Sequence, residues 1–369
     1  MILNRLEILN FKNIAMASCS FAPKMNCFFG ANGMGKTNLL DAIHYLSVVR
    51  SHIGTTDSDV VLSGTNETIL QGKYTRCSNS EEEETLVLKI SKEKNKSLSR
   101  NGKLYQRLSS HIGRYPLVIV SPQDHKLIRG GSDERRRFFD KLLSQNNPNY
   151  LDALIEYSRA LAQRNTLLRN SNRDSMLFDY VEHVLAKRGV EIVKYRTELT
   201  DRFTSTFDQM YSFLSQDAEK VSLCYKSAVP LDENSLKHQL EVSRKSDYEV
   251  GYTTLGVHKD DWEMLIGERL MRKIGSEGQN KTYLIALKMA EYTHTLEQVT
   301  PIRPTLLLDD LFDKLDAERV ERIMTLVAQE NFGQIFITDT NRKYLDEIIR
   351  AQGTDFALFQ LSHGEAIQL

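Results

Sequence analysis

Much of what this sequence can be is settled by what it has little of. No stretch approaches 18 consecutive apolar residues, so none reads as a membrane-spanning helix. Arg5, Glu7 and Lys12 interrupt the apolar residues at the N-terminus, which leaves no unbroken core for a secretory signal. The four cysteines, Cys19, Cys27, Cys77 and Cys224, show no CxxC spacing and no histidines cluster beside them. That excludes a zinc site or a disulfide framework and points to buried thiols in a reducing compartment. Net charge is nearly absent too: 48 basic against 49 acidic side chains give -1. Composition therefore offers no argument for a nucleic-acid partner, and any such site must be a local patch. There is no internal repeat, and the only low-complexity patch, Glu81 to Glu84, reads as a solvated loop. With 41% hydrophobic and 26% charged residues, the composition excludes disorder and collagen-like or mucin-like chains. The 369 residues predict about two domains in a cytoplasmic protein with no membrane partner.

Periodicity divides the chain. From Met1 to about Tyr115 the pattern is strand-like, with Leu6, Ile8 and Phe11 in an opening strand and Asn26 to Phe29 as a short buried one. Further strands are predicted around Thr68 to Leu70 and Thr85 to Leu88. Asn101-Gly102 predicts a two-residue hairpin, because both residues tolerate positive φ. Between Asp133 and about Gln216 the period becomes helical, ending in one long stretch from about Ser175. Strand-like segments resume at Val221 to Cys224 and Trp262 to Ile266. A helix from about Ser276 to Thr295, a buried strand at Thr305 to Leu308, a helix from Ala317 and a strand at Gln334 to Ile337 follow. Trp262, the only tryptophan, is expected in the core.

The chemistry is concentrated in three motifs. Gly30-Ala31-Asn32-Gly33-Met34-Gly35-Lys36-Thr37 fits G-x-x-x-x-G-K-[ST] and stands between an apolar strand and the amphipathic helix that opens with Asn38. In such a Walker A loop, glycines let backbone N–H groups converge on phosphate oxygens, and the helix N-terminus adds partial positive charge. Lys36 would reach the β- and γ-phosphates and Thr37 would offer its hydroxyl to Mg²⁺. Thr305 to Leu308 is an apolar run ending in Asp309-Asp310, a Walker B candidate. Asp309 would hold the magnesium shell and Asp310 would orient or deprotonate the attacking water. The third motif is Ser276-Glu277-Gly278-Gln279, with Ser276 a good N-cap for the helix that follows.

The order of Walker A, Gln123 after a strand, SxGQ, Walker B and Leu315-Asp316 resembles the ABC-type ATPase heads. Within them, Leu6-Glu7-Ile8-Leu9-Asn10-Phe11-Lys12-Asn13-Ile14, the loop from Gly30 to Asn38, Ser121-Pro122-Gln123-Asp124, Gly256-Val257-His258-Lys259-Asp260-Asp261 and Asp309-Asp310 resemble the RecF family of bacterial recombination mediators. The resemblance covers nearly the whole chain. It departs from the family pattern where Val257 and Lys259 replace Pro and Arg, and where SxGQ carries Glu277. It implies an α/β fold: an ABC-type P-loop ATPase head with a mixed β-sheet, residues 1–125 and 251–369, and an inserted α-helical lobe, residues 126–250. It also implies a slow, DNA-stimulated ATPase using ATP and Mg²⁺ that dimerises on ATP and binds double-stranded or gapped DNA. Its implied partners are RecR with RecO and, indirectly, RecA. In that scheme the nucleotide is bound by Gly30 to Asn38 of one copy and capped by Ser276, Gly278 and Gln279 of the other. Gln123 would join Thr37 and Asp309 at the metal and assist Asp310 in catalysis. Asp316 would form the D-loop, Thr338 would lie near the switch position, and Lys12 near the nucleotide.

From Gln123 to Ser276 there are 153 residues, and the longest helical stretch spans only about 60 Å at 1.5 Å per residue. No long coiled-coil arm fits, which excludes the chromosome-condensing relatives and disfavours a transporter subunit. For DNA, the segment from Lys126 to Arg173 holds ten Lys and Arg against five Asp and Glu, densest at Arg135, Arg136 and Arg137. Such a patch would bind phosphates without reading bases. Arg50 and His52 are a weaker pair. The rival readings are a P-loop small-molecule kinase and an ABC-type ATPase that does not act on DNA.

Overall fold

The computed structural model describes residues 1–76, 82–93, 95–170, 174–216, 219–298, 302–310, 317–328, 332–340, 356–362 and 364–369. In chain order it begins with β1 (Ile2–Phe11), β2 (Ile14–Ser20), β3 (Met25–Phe29), α1 (Lys36–Val48), β4 (Glu67–Thr75), β5 (Glu83–Ser91), β6 (Lys96–Arg100), β7 (Lys103–Leu104) and β8 (Leu117–Val120). A mainly helical stretch follows: α2 (His125–Arg129), α3 (Ser132–Asn146), α4 (Pro148–Arg169), α5 (Ser175–Ser215), β9 (Val221–Lys226), α6 (Glu233–Val250), β10 (Asp261–Ile266), β11 (Arg269–Leu270), α7 (Met271–Ile274) and α8 (Glu277–Gln298). The chain closes with β12 (Thr305–Asp309), α9 (Ala317–Ala328), β13 (Ile335–Asp339), β14 (Phe356–Ser362) and β15 (Glu365–Gln368). Two compact units result: Met1–Asp124 with Lys288–Leu369, and His125–Leu287.

The first unit holds two six-stranded sheets. One is antiparallel in the order β2-β1-β4-β5-β6-β7. Its strands alternate, so that Leu6, Ile8, Leu70, Leu86, Leu88 and Leu98 are buried on one face. The expected hairpin joins β6 to β7, with Asn101 at φ 50° and Gly102 at φ 77°. The other sheet runs β15-β14-β3-β13-β12-β8 and is parallel apart from β15. Four of its strands, β3, β8, β12 and β13, are apolar almost throughout because both faces are covered. Helix α1 touches strands of both sheets and buries Leu39, Leu40, Ile43, Tyr45 and Leu46. Full burial of each such side chain contributes about 1.5–3 kcal/mol. In register, β13 pairs with β3 on one side and β12 on the other, so Thr338 lies opposite both Phe28 and Asp309. The C-terminal ends of the central strands therefore share one edge, where ligands gather in open α/β sheets.

The second unit is built on α5, 41 residues long and about 60 Å from end to end. Asp174 caps it by accepting from the N–H groups of Met176 and Leu177, and Gln216 ends it in the left-handed region. Trp262 is fully buried, donates its indole N–H to Thr200 Oγ1 at 2.9 Å and stacks on Phe139. Two arginines are also buried outright. Arg164 bridges Glu182 at 3.0 Å and Asp247 at 2.6 Å, and Arg196 bridges Asp140 and Asp260, both at 2.8 Å. The sequence expectation returned the chain to the first unit at residue 251, whereas the compact units divide between Leu287 and Lys288. The physical reason is strand pairing: β10 pairs with β9 from Asp261↔Lys226 to Ile266↔Val221 and so completes a separate sheet, β11-β10-β9, in the second unit. Cys19 and Cys27 are buried thiols, Cys224 is half-buried, and Cys77 lies outside the described residues.

Candidate nucleotide-binding site

The Walker A loop leaves β3 and enters α1. Gly30 passes so close to β14 that an added Cβ would lie 2.6 Å from the carbonyl oxygen of Leu361. Gly35, at φ 102°, turns the chain into the helix through a conformation that L side chains rarely adopt. Ala31, Asn32 and Gly33 stand exposed at the tip, and Met34 is tied down by the N–H of Gly364, which donates to its carbonyl at 3.2 Å. Lys36 is 4% exposed and reaches back along the loop, its Nζ donating to the carbonyls of Gly30 at 2.9 Å and Ala31 at 3.3 Å. Asn13 braces the loop from outside. Its Nδ2 donates to the Gly33 carbonyl at 3.2 Å and its Oδ1 accepts from Asn38 Nδ2 at 2.7 Å.

Thr37 points across to the end of β12 and donates to Asp309 Oδ1 at 3.2 Å. Thr338, at the end of β13, donates to the same oxygen at 2.7 Å and receives the N–H of Asp310 at 3.1 Å. Burial pushes the Asp309 carboxyl above its ordinary range; hydrogen bonds from Thr338 and Thr37 oppose the shift, Asp310 reinforces it and Lys36 opposes it. A buried carboxylate beside a hydroxyl is a hard-oxygen donor set, so Thr37 and Asp309 fit Mg²⁺. Asp310 sits at φ 43°, a left-handed conformation uncommon outside glycine.

Gln123 is exposed on the turn Pro122–Asp124 that follows β8. Asp124 holds this turn by accepting the Ser121 N–H at 2.8 Å, and the His52 ring hydrogen-bonds Ser121 Oγ at 2.9 Å. Behind it lies Lys288, buried, 3.7 Å from Asp124 and 3.0 Å from Glu291. Burial works against the Lys288 charge, but the two carboxylates outweigh it and raise its pKa.

The family described as RecF/RecN/SMC N terminal domain matches residues 2–112. The DNA replication and repair protein RecF of Porphyromonas gingivalis strain W83 is 52% identical over 368 residues, covering 100% of both chains. That of Parabacteroides distasonis is 51% identical, covering 99% of this chain and 98% of the relative. The chain belongs to the RecF family. A solved structure, described as the recombination mediator protein RecF with ATP in the RecFOR pathway, aligns with TM-score 0.89 and 27% identity over 100% of this chain and 97% of the other. As a RecF-family protein this is a recombination mediator of DNA replication and repair, with the mixed α/β fold of the RecF heads.

The SxGQ segment of this RecF-family chain lies in the second unit and forms a reciprocal cap. The Ser276 N–H donates to Gln279 Oε1 at 2.7 Å, and the Gln279 N–H donates to Ser276 Oγ at 3.2 Å. Gln279 Nε2 also donates to Glu219, and Gly278 accepts at its carbonyl from Thr282 Oγ1 at 3.0 Å. Asp316 lies outside the described residues.

Several residues have other partners than the sequence suggested. Lys12 is salt-bridged to Asp41 at 2.6 Å within the first unit. Asp41 also accepts from Ser51 Oγ and the His52 N–H, closing the loop behind α1. His52 is thus a structural residue of that loop, while Arg50 is exposed. The arginine run is corrected at two of its three positions. Arg135 is 3% exposed, with Nε 2.7 Å and Nη2 3.0 Å from the two oxygens of Asp261. Arg136 is half-buried and donates to the Asp260 carbonyl at 2.6 Å. Only Arg137 is exposed, and it pairs with Asp133 and Glu134 on its own helix. His258 bridges Tyr157 and the Thr253 carbonyl, a packing role. Sequence reasoning assigned no role to Asn13, Asp41 or Lys288. Asn13 falls inside the quoted opening motif, while Asp41 and Lys288 gave no local signal.

Proposed function

We propose that this RecF-family protein is an ATP-gated DNA clamp: two copies join around ATP, grip double-stranded or gapped DNA in the cytoplasm, and with RecR and RecO favour RecA loading. The observation that carries it is the convergence, at one sheet edge, of the Walker A loop, Thr37, Asp309 and Thr338. Backbone N–H groups from Gly30 to Thr37, with Asn38 behind them, would bind the phosphates at the start of α1. Lys36 would exchange its loop carbonyls for phosphate oxygens. Thr37, Asp309 and Gln123 would hold Mg²⁺, which when bound neutralises charge on the β- and γ-phosphates. Asp310 accepts the proton of the attacking water, held in line by Gln123. As the water oxygen bonds to the γ-phosphorus, the bond to the bridging oxygen breaks and ADP leaves.

The N-terminus of α8 supports the dimer. Ser276, Gly278 and Gln279 of one copy would close over the γ-phosphate held by the other, where the helix N-terminus adds partial positive charge. Thr338 would relay the state of that phosphate through Asp309. DNA stimulates turnover in this scheme because it favours the joined state. Replacing Lys36 with Ala removes the charge that binds phosphate and should weaken ATP binding about 10- to 100-fold, the loss expected for a charge-assisted hydrogen bond. Equilibrium binding of a fluorescent ATP analogue reads this, and an unchanged affinity overturns the nucleotide assignment.

A further inference from the structure

With Arg135 buried and Arg137 paired, exposed basic side chains of the second unit are also found on two other short helices. Helix α2 buries Leu127 and Ile128 and turns Lys126 and Arg129 to solvent. Helix α7 buries Met271 and turns Arg272 and Lys273 to solvent. The two helices touch, and Ile128 and Arg272 line the same small cleft. Among the described residues, none of these four side chains forms an ion pair. The nearby carboxylates are engaged elsewhere: Asp261 with Arg135, Glu263 with Lys226, and Asp133 and Glu134 with Arg137. Four like charges gathered from distant parts of the chain, beside carboxylates already paired with other cations, suit a polyanion.

We infer that Lys126, Arg129, Arg272 and Lys273 form the surface that contacts the phosphate backbone of duplex DNA. This rests on the DNA-clamp reading above and deepens it. The cluster carries flexible cations, so it positions a backbone without reading bases. Its place in the chain also links it to nucleotide: Lys126 follows Gln123 by three residues, and Lys273 precedes Ser276 by three. A change at either nucleotide motif has a short covalent route to the cations.

The test is binding of a labelled duplex to the full chain with Mg²⁺ and ATP, by fluorescence anisotropy across a salt series. Each lost phosphate contact lowers the slope of log affinity against log salt by about 0.9. The variant K126A/R129A/R272A/K273A should lose up to about 3.6 of that slope and at least about a hundredfold in affinity at 0.1 M salt. The single variants K126A and K273A should each lose about 0.9, which keeps the test decisive if the fourfold variant folds poorly. R129K/R272K keeps the charge and should bind within about twofold of the parent. ATP affinity should be unchanged in all of them. If the parent binds duplex but the alanine variants match it in affinity and slope, the cluster serves another polyanion and this inference is overturned alone. If the parent itself binds no DNA with ATP present, the clamp reading falls and the inference with it.

Discussion

Asp309 carries opposing demands. Burial and the neighbouring Asp310 favour its neutral form, while two threonine hydroxyls and Lys36 favour the carboxylate. A bound dication would tip that balance fully to the charged form. Asp310 shows a second kind of constraint, since its left-handed φ is one that Asn also adopts readily, so Asp310→Asn removes the carboxylate without adding backbone strain. His111 offers a test of burial away from the site. It is fully buried, its Nε2 lies 2.7 Å from the Leu46 carbonyl, and burial lowers its pKa from 6.5 to about 4. The folded state therefore holds it neutral while the unfolded chain takes a proton below about pH 6.5. Its stabilising contribution is complete above that pH and is lost as pH falls toward 4, by about 1.4 kcal/mol per pH unit. Urea unfolding between pH 4.5 and 7 should show that slope, flattened in His111→Gln; identical slopes would contradict it. Lys36 and Thr37 could be read from sequence because their partners are within the motif or implied by it. Arg135 could not, because the carboxylate that takes it is 126 residues away.

Among the elements, the α4–α5–α6 clasp depends on one buried charge. Arg164 of α4 reaches Glu182 of α5, Asp247 of α6, the Leu240 carbonyl and Thr253. Arg164→Met leaves Asp247 buried without its cation, although Glu182 retains Arg244. Unfolding of the second unit should weaken by about 3–5 kcal/mol, read as a lower urea midpoint. A change under about 1 kcal/mol would mean that the carboxylates find other partners. Element ends governed by neighbouring residues were legible: Asn101-Gly102 turns the β6–β7 hairpin, and Ser276 opens α8. The capping role of Gln279 also explains why SxGQ suits a helix start on local grounds alone. Pairing partners were not legible. The periodicity of Trp262 to Ile266 announces a strand but contains nothing that chooses β9 over the sheets of the first unit.

For the whole molecule, the same limit explains why motifs can be read locally while the compact units divide elsewhere than the sequence pattern suggests. Motifs are short and self-contained, whereas the boundary depends on which distant strands pair. The phosphate loop and the SxGQ segment belong to different compact units. In the function proposed here they meet across two copies, so ATP is ligand and adhesive together. Sedimentation of the Asp310→Asn protein, with and without Mg²⁺ and ATP, measures that claim most directly. Loss of the proton acceptor should slow hydrolysis about 10²- to 10⁴-fold while leaving ATP bound. The account predicts a monomer without nucleotide and a dimer with it. A protein that stays monomeric at saturating ATP would contradict it.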